Sequence, residues 1–234
     1  MEITFLLETF ETLIKGLPLT LSMAAISISA GTLLATGLAV LAVSGGVAGK
    51  KFASAYVFVF RGSPLLVQIF LIYYGLGQFR PTLQAWGLWT ILREPYWCAV
   101  IALTLNTTAY SGEIFRGALQ SVPAQQVEAA RACGMSGLLL FRRIIFPIAF
   151  RQALPGYGNE IVLMVKATAL ASVITIMEVT GLAGKLIADS FRAFEVFCVA
   201  GAIYLAINLI LTRIVAIVEY GLSPHLRLQP AQAA

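Results

Sequence analysis

Residues 121–147 read SVPAQQVEAARACGMSGLLLFRRIIFP. This segment is polar and basic, lies between apolar runs, and is still patterned as helix. Ser121 can cap a helix, and Pro123 sits where a first-turn proline is tolerated. Val127, Ala130 and Arg131 recur at helical spacing, with Glu128 in reach of Arg131 at i+3. Gly134 is placed to stop that helix, because a left-handed backbone carries no Cβ penalty at glycine. Ser136 can cap a second helix, carrying Leu138 to Ile145 until Pro147 interrupts it. The expected product is a short helix, a tight turn and a second helix, forming a compact knob between two membrane spans. Its small residues Ala129, Ala130 and Gly134 would let another protein's backbone come close.

The remainder of the chain explains why such a knob stands out. Of 234 residues, 59% are hydrophobic and 12% charged, and the mean hydropathy is +0.86. Soluble domains are about 45–50% apolar and about 25% charged, so the chain is expected to be an all-α membrane protein. The net charge of +5 is not a nucleic-acid footprint, because the cations lie between apolar runs, where membrane topology places them. Cys98, Cys133 and Cys198 have no paired spacing and read as small apolar residues without a disulfide framework. The lone His225 cannot build a metal site. The first residues carry Glu2, Glu8 and Glu11 where a signal peptide would carry cations.

Five transmembrane helices are expected, over about 17–43, 52–76, 96–115, 154–179 and 196–218. Before them, Ile3, Leu6, Phe10, Leu13 and Leu17 form an apolar stripe. Residues 1–16 therefore read as a helix lying in the membrane interface, or equally as an extension of the first span. The first span is rich in Ser, Gly and Ala, which favours close helix packing. The second carries Arg61-Gly62-Ser63-Pro64; Pro64 should kink it, and Arg61 can snorkel to the interface. Trp86, Trp89, Tyr96 and Trp97 mark an interfacial loop, with a short interfacial helix expected between Pro81 and Leu92. Residues 181–195 are expected as a second outer loop.

With five spans the termini lie on opposite sides. One side holds Lys50, Lys51, Arg116, Arg131, Arg142, Arg143, Arg151 and Arg227. The other holds Lys15, Arg80, Arg93, Lys185 and Arg192. The richer side should be cytoplasmic, which puts the amino terminus outside and the knob and the 222–234 tail inside.

The knob also carries a resemblance. Glu128-Ala129-Ala130, Gly134, Ile144 and Phe146-Pro147, at their spacing in this chain, resemble the EAA loop of ABC importer permeases, with Phe-Pro where Leu-Pro is usual. The strings FRGSPLLVQ, TLNTTAYSGEIFRGALQSVP and LPGYGNEIVLMVKATALAS are similar to stretches of the polar-amino-acid branch, which serves histidine, basic amino acids and opines. The likeness covers about residues 17–221. It implies a type I ABC importer permease fold in a bacterial inner membrane, coupled through Glu128, Ala129, Ala130, Gly134, Ile144 and Pro147 to separate ATP-binding subunits. It also implies a second permease subunit, more often a paralogue than an identical copy, and a periplasmic solute-binding protein. ATP and magnesium would belong to the partner ATPase, with no cofactor in this chain. Where relatives have Lys-Asp-Thr-Ser-Leu, this chain has Lys166-Ala167-Thr168-Ala169-Leu170, so no role of that Asp or Ser carries over.

The chain has no phosphate-binding glycine loop of its own, and no His, Ser/Lys or metal cluster that would suit a membrane enzyme. Its chemistry lies in ionisable groups inside apolar spans, where a charge costs about 2.5–3.5 kcal/mol on translocon scales. Glu113 and Arg116 are three apart and read as an interfacial ion pair or as part of the path. Glu160 and Lys166 are six apart, so each faces the interior separately, lining a cavity or joining inter-helix pairs. A carboxylate in a central cavity suits a cationic solute, with Asn159, Asn106, Thr107, Tyr110 or Thr168 supplying hydrogen bonds. Gly156 and Gly158 could loosen the start of the fourth span, and Glu178 reads as interfacial. The function expected is a permease subunit of an ATP-driven importer for polar, chiefly basic, amino acids or opines. The alternative is an ATP-independent channel or secondary transporter, in which Glu160 and Lys166 gate ions.

Overall fold

The computed structural model describes residues 3–222, so Glu2 and residues 223–234 of the expected tail, His225 and Arg227 among them, fall outside the described residues. Every regular element among the described residues is helical. The chain runs α1 (Ile3–Ile14), α2 (Leu17–Ser44), α3 (Val47–Gly62), α4 (Leu65–Gln78), α5 (Arg80–Ala85), α6 (Trp89–Leu92), α7 (Pro95–Gln120), α8 (Ala124–Ala132), α9 (Gly137–Leu140), α10 (Phe146–Ala167), α11 (Val179–Ser190) and α12 (Ala193–Leu222). A π turn, Phe141–Ile145, joins α9 to α10, and a 3₁₀ segment, Thr168–Ile174, follows α10.

α7 is the hub. It packs against α2 along much of its length and also against α3, α4 and α10. Close approach requires small residues: a Cβ built on Gly31 of α2 would stand 2.2 Å from Thr107 Cγ2 of α7. The main core gathers Met23, Ile69, Cys98, Ala102, Leu103 and Met164, joined by Ala171, Ile174 and Ile176 from the end of the fourth span. A second core sets Leu13 of α1 against Val179 and Ala183 of α11 and Val196 and Ala200 of α12. So α1 docks on the protein through Leu13, while Ile3 and Phe10 of the expected stripe stay exposed.

By length and apolar composition three stretches qualify as spans, Ile3–Ser44, Gly137–Ile174 and Ala193–Leu222, and the bent pair α3–α4 makes a fourth. α7 has 26 residues, long enough to cross. Its buried Thr104, Asn106, Thr107, Thr108 and Ser111 are what lower its hydropathy.

Several expectations are corrected. The second span is not one kinked helix: α3 and α4 meet at 101°. Pro64 has no N–H to continue α3, and it drives the residue before it into extended backbone, as Ser63 shows (φ −112°, ψ 144°). The helical stretch that carries the fourth span begins already at Gly137, within the knob segment, and ends at Ile174, short of 179. Pro147 does not interrupt it, because the π turn before it, with Phe146 N–H donating to Phe141 C=O, widens the helix where the proline ring enters. The expected outer loop 181–195 is largely α11. The expected single helix over Pro81–Leu92 is split into α5 and α6 by Gly87, which has φ +71°.

Candidate functional site

The bend at Gly62–Leu65 opens a cavity of about 480 Å³ whose wall includes Arg61, Ser63, Asn106, Tyr110, Glu160 and Met164. The string FRGSPLLVQ builds its rim. Breaking a helix beside lipid frees carbonyls that nothing apolar can satisfy. Here Gln68 Nε2 reaches Phe60 C=O (2.9 Å), Ser63 C=O (3.0 Å) and Ser63 Oγ (2.9 Å). Asn106 Nδ2 in turn donates to Gln68 Oε1 at 3.0 Å. A two-amide clasp thus holds the break open from α7. Asn106 therefore serves the bend as well as lining the cavity, and Gln68 is a member of the site that the sequence did not single out.

Arg61 does not snorkel away. Its guanidinium lies over the Tyr110 ring, 5.1 Å from the centroid, at the cavity wall. In the same wall, Glu160 is 6% exposed and accepts a hydrogen bond from Thr107 Oγ1 at 2.9 Å. The cavity wall therefore holds both a carboxylate and a guanidinium, together with aromatic and amide surface. Such a space suits a solute carrying both signs of charge.

The remaining candidates do not gather there. Asn159 is exposed and outside the cavity lining, because it is one residue from Glu160 and so about 100° around the helix. Thr168 is fully buried and donates to Val165 C=O at 2.7 Å, closing the end of α10. Lys166 is exposed on this chain's surface, not turned inward. Glu113 forms a bidentate pair with Arg116 Nε and Nη2 and borders a different cavity. Gly156 and Gly158 do not loosen α10, which is continuous. A Cβ on Gly158 would meet Val215 Cγ1 of α12 at 2.3 Å, so this glycine is there for close packing.

Glu178, expected at the membrane interface, turns into the protein. It is wholly buried and caps α11, accepting from Gly181 N–H (2.9 Å), Tyr204 Oη (2.6 Å) and Thr20 Oγ1 (3.3 Å). One carboxylate thereby ties α2, α11 and α12 together. Its position just before a short helix, with a glycine three residues on, was the available signal.

At the other end of α7 lies the knob. α8 is capped by Pro123, not by Ser121, which instead donates to Ala118 C=O (2.9 Å) and to Gln152 Oε1 and so closes α7. Gly134 stands at φ +80°, with its N–H on Arg131 C=O (2.9 Å) and Met135 N–H on Ala130 C=O (3.0 Å). That pair of bonds is a Schellman turn and satisfies the last carbonyls of α8. Glu128, Ala129 and Gly134 are exposed, whereas Ala130 is 6% exposed and faces the chain itself. Ile144 and Pro147 are half-buried and support the knob from behind. Beside it Leu138, Leu139, Phe146 and Phe150 are exposed, an apolar ridge that the sequence pattern did not single out.

The family described as "Binding-protein-dependent transport system inner membrane component" matches residues 13–223. The chain belongs to this family. It is 59% identical to the octopine transport system permease protein OccM of Rhizobium meliloti, over 95% of this chain and 91% of that protein. It is 51% identical to the nopaline transport system permease protein NocM of Agrobacterium fabrum, over 97% and 94%. A solved amino acid ABC transporter with histidines superposes with a TM-score of 0.83 at 32% identity, covering 94% of this chain and 98% of that one. The chain is thus a permease subunit of an ABC transporter with the type I fold, a multi-pass inner-membrane component rather than an enzyme. Family membership brings an ATPase and a solute-binding protein as partners.

Proposed function

We propose that this chain is one permease half of an importer for opines built on a basic amino acid, and for the parent basic amino acids. The observation that carries it is that Glu160 and Arg61, of opposite charge, line one cavity. A solute with a cationic side group and a carboxylate can meet both, and the octopine and nopaline permeases are 59% and 51% identical to this chain over the aligned residues. Glu160 receives the cationic group, Thr107 orients that carboxylate, and Tyr110 and Asn106 complete the wall. Arg61 receives the solute carboxylate.

The knob is the coupling element. Glu128 and Ala129 on the outer face of α8 meet the ATPase, Gly134 shapes the turn, and Leu138 and Leu139 add apolar contact. Ala130, Ile144 and Pro147 hold the knob's shape from inside. The amino terminus lies outside and the knob in the cytoplasm, where more of the Lys and Arg residues fall. The partner permease is a paralogue, and ATP with magnesium stays on the ATPase.

The test is uptake of labelled octopine, nopaline, arginine and glutamine by proteoliposomes holding the whole transporter and its binding protein. Preference for the solutes with a cationic side group that drops in Glu160→Gln supports the assignment. Equal uptake of glutamine and arginine, unchanged by that substitution, overturns it. Movement of solute without ATP would return the channel or secondary-transporter alternative.

A further inference from the structure

A second cavity, of about 400 Å³, lies near the knob end of α7, between α2, α3 and α7. That volume falls in the usual range for small-molecule sites, about 300–1,000 Å³. It is not part of the Glu160 cavity. Its lining is divided by chemistry: Lys50, Glu113 and Arg116 supply charge, while Leu38, Val57 and Phe58 supply an apolar wall. Two cations against one carboxylate leave a net charge of +1, and Lys51 beside it is exposed as well.

Arg116 is held in a fixed pose. Its Nε and Nη2 bond Glu113, and Nη1 bonds Gln120. A guanidinium carries five N–H donors, so two remain for an anion while the Glu113 pair fixes the direction in which they point. Phe58 is 79% exposed, and Phe52 and Val59 on the same helix are exposed too. The apolar wall therefore continues onto an exposed apolar helix surface that suits acyl chains.

We propose that this cavity binds the headgroup of an anionic phospholipid, with one acyl chain along Val57 and Phe58. Charge complementarity selects the anionic headgroup over a zwitterionic one. Basic pockets between membrane helices near the cytoplasmic side hold such headgroups by the same physics. The leaflet follows from the side on which the knob lies. The site itself depends only on the cavity, its two cations and its apolar wall. A bound lipid there would brace α3 against α7 at the base of the bent pair.

The test is native mass spectrometry of the intact transporter, released from membranes containing equal dioleoyl phosphatidylglycerol and dioleoyl phosphatidylcholine. One phosphatidylglycerol retained per copy of this chain, in preference to phosphatidylcholine, is expected. Lys50→Gln should weaken that retention roughly fivefold, the effect of one cation near an anionic lipid. Ser54→Trp fills the cavity with an indole while keeping both cations in the chain, and should remove the retained lipid while leaving the assembly intact. Equal retention of both lipids would overturn the proposal, as would unchanged retention in both variants. Displacement of the lipid by inorganic phosphate alone would assign the site to a free anion and equally overturn it.

Discussion

Thr107 on α7 donates to the Glu160 carboxylate on α10 at 2.9 Å, and both residues are buried. Thr107 is itself positioned from a third helix, because Gly31 of α2 lets its methyl group close in. The carboxylate at the cavity is therefore set by α2, α7 and α10 together, so a change on α2 should be felt at the solute.

Glu160→Gln removes the charge and keeps the shape. Uptake of solute with a cationic side group, at saturating binding protein, should drop roughly ten- to a hundredfold, the scale of a weakened charge-assisted contact of about 1.5–3 kcal/mol. Assembly, followed by size-exclusion chromatography, should be unchanged.

Gly31→Ala puts a Cβ into Thr107 Cγ2 at 2.2 Å. Overpacking of this kind costs about 1–3 kcal/mol, so the solubilised transporter should melt at a lower temperature and transport more slowly. Thr107→Ser deletes the clashing methyl and keeps the hydroxyl that serves Glu160. The double variant should regain most of both losses, a coupling that independent sites would not give.

Gly134→Val meets no neighbour, since nothing lies within 4 Å of a Cβ there. The strain is purely conformational: φ is +80°, and a left-handed backbone costs a non-glycine residue about 1–2 kcal/mol. The knob should reshape while the spans stay folded. Basal ATP hydrolysis should persist, and its stimulation by solute should be lost.

Glu178→Ala leaves Tyr204, Thr20 and the Gly181 N–H without their shared acceptor. Loss of a buried cap of this kind should destabilise by about 1–3 kcal/mol. Thermal unfolding of the variant should show it, and Glu178→Gln, which keeps one acceptor oxygen, should lie between.

Much of this was legible in the residues. Apolar runs, the Gly134 stop and the spacing from Glu128 to Pro147 outlined the helical membrane fold and the knob, because periodicity and glycine chemistry are local. Glu160 stood out because a carboxylate in an apolar run needs a reason. What the sequence could not disclose is partnership across helices. Pro64 marked a break, but whether it bends a span slightly or by 101° depends on Gln68 and Asn106 meeting behind it. Asn159 and Thr168 were polar in the right span and turned out to face elsewhere. Glu178 looked interfacial until Tyr204 and Thr20, far apart in sequence, closed on it.

The most direct measurement is solute-stimulated ATP hydrolysis in proteoliposomes holding this chain, its partner permease, the ATPase and the binding protein, with and without Glu160→Gln. The account predicts stimulation by octopine, nopaline or arginine that the substitution largely removes while basal hydrolysis stays. Stimulation that ignores the substitution, or solute movement without ATP, would contradict it.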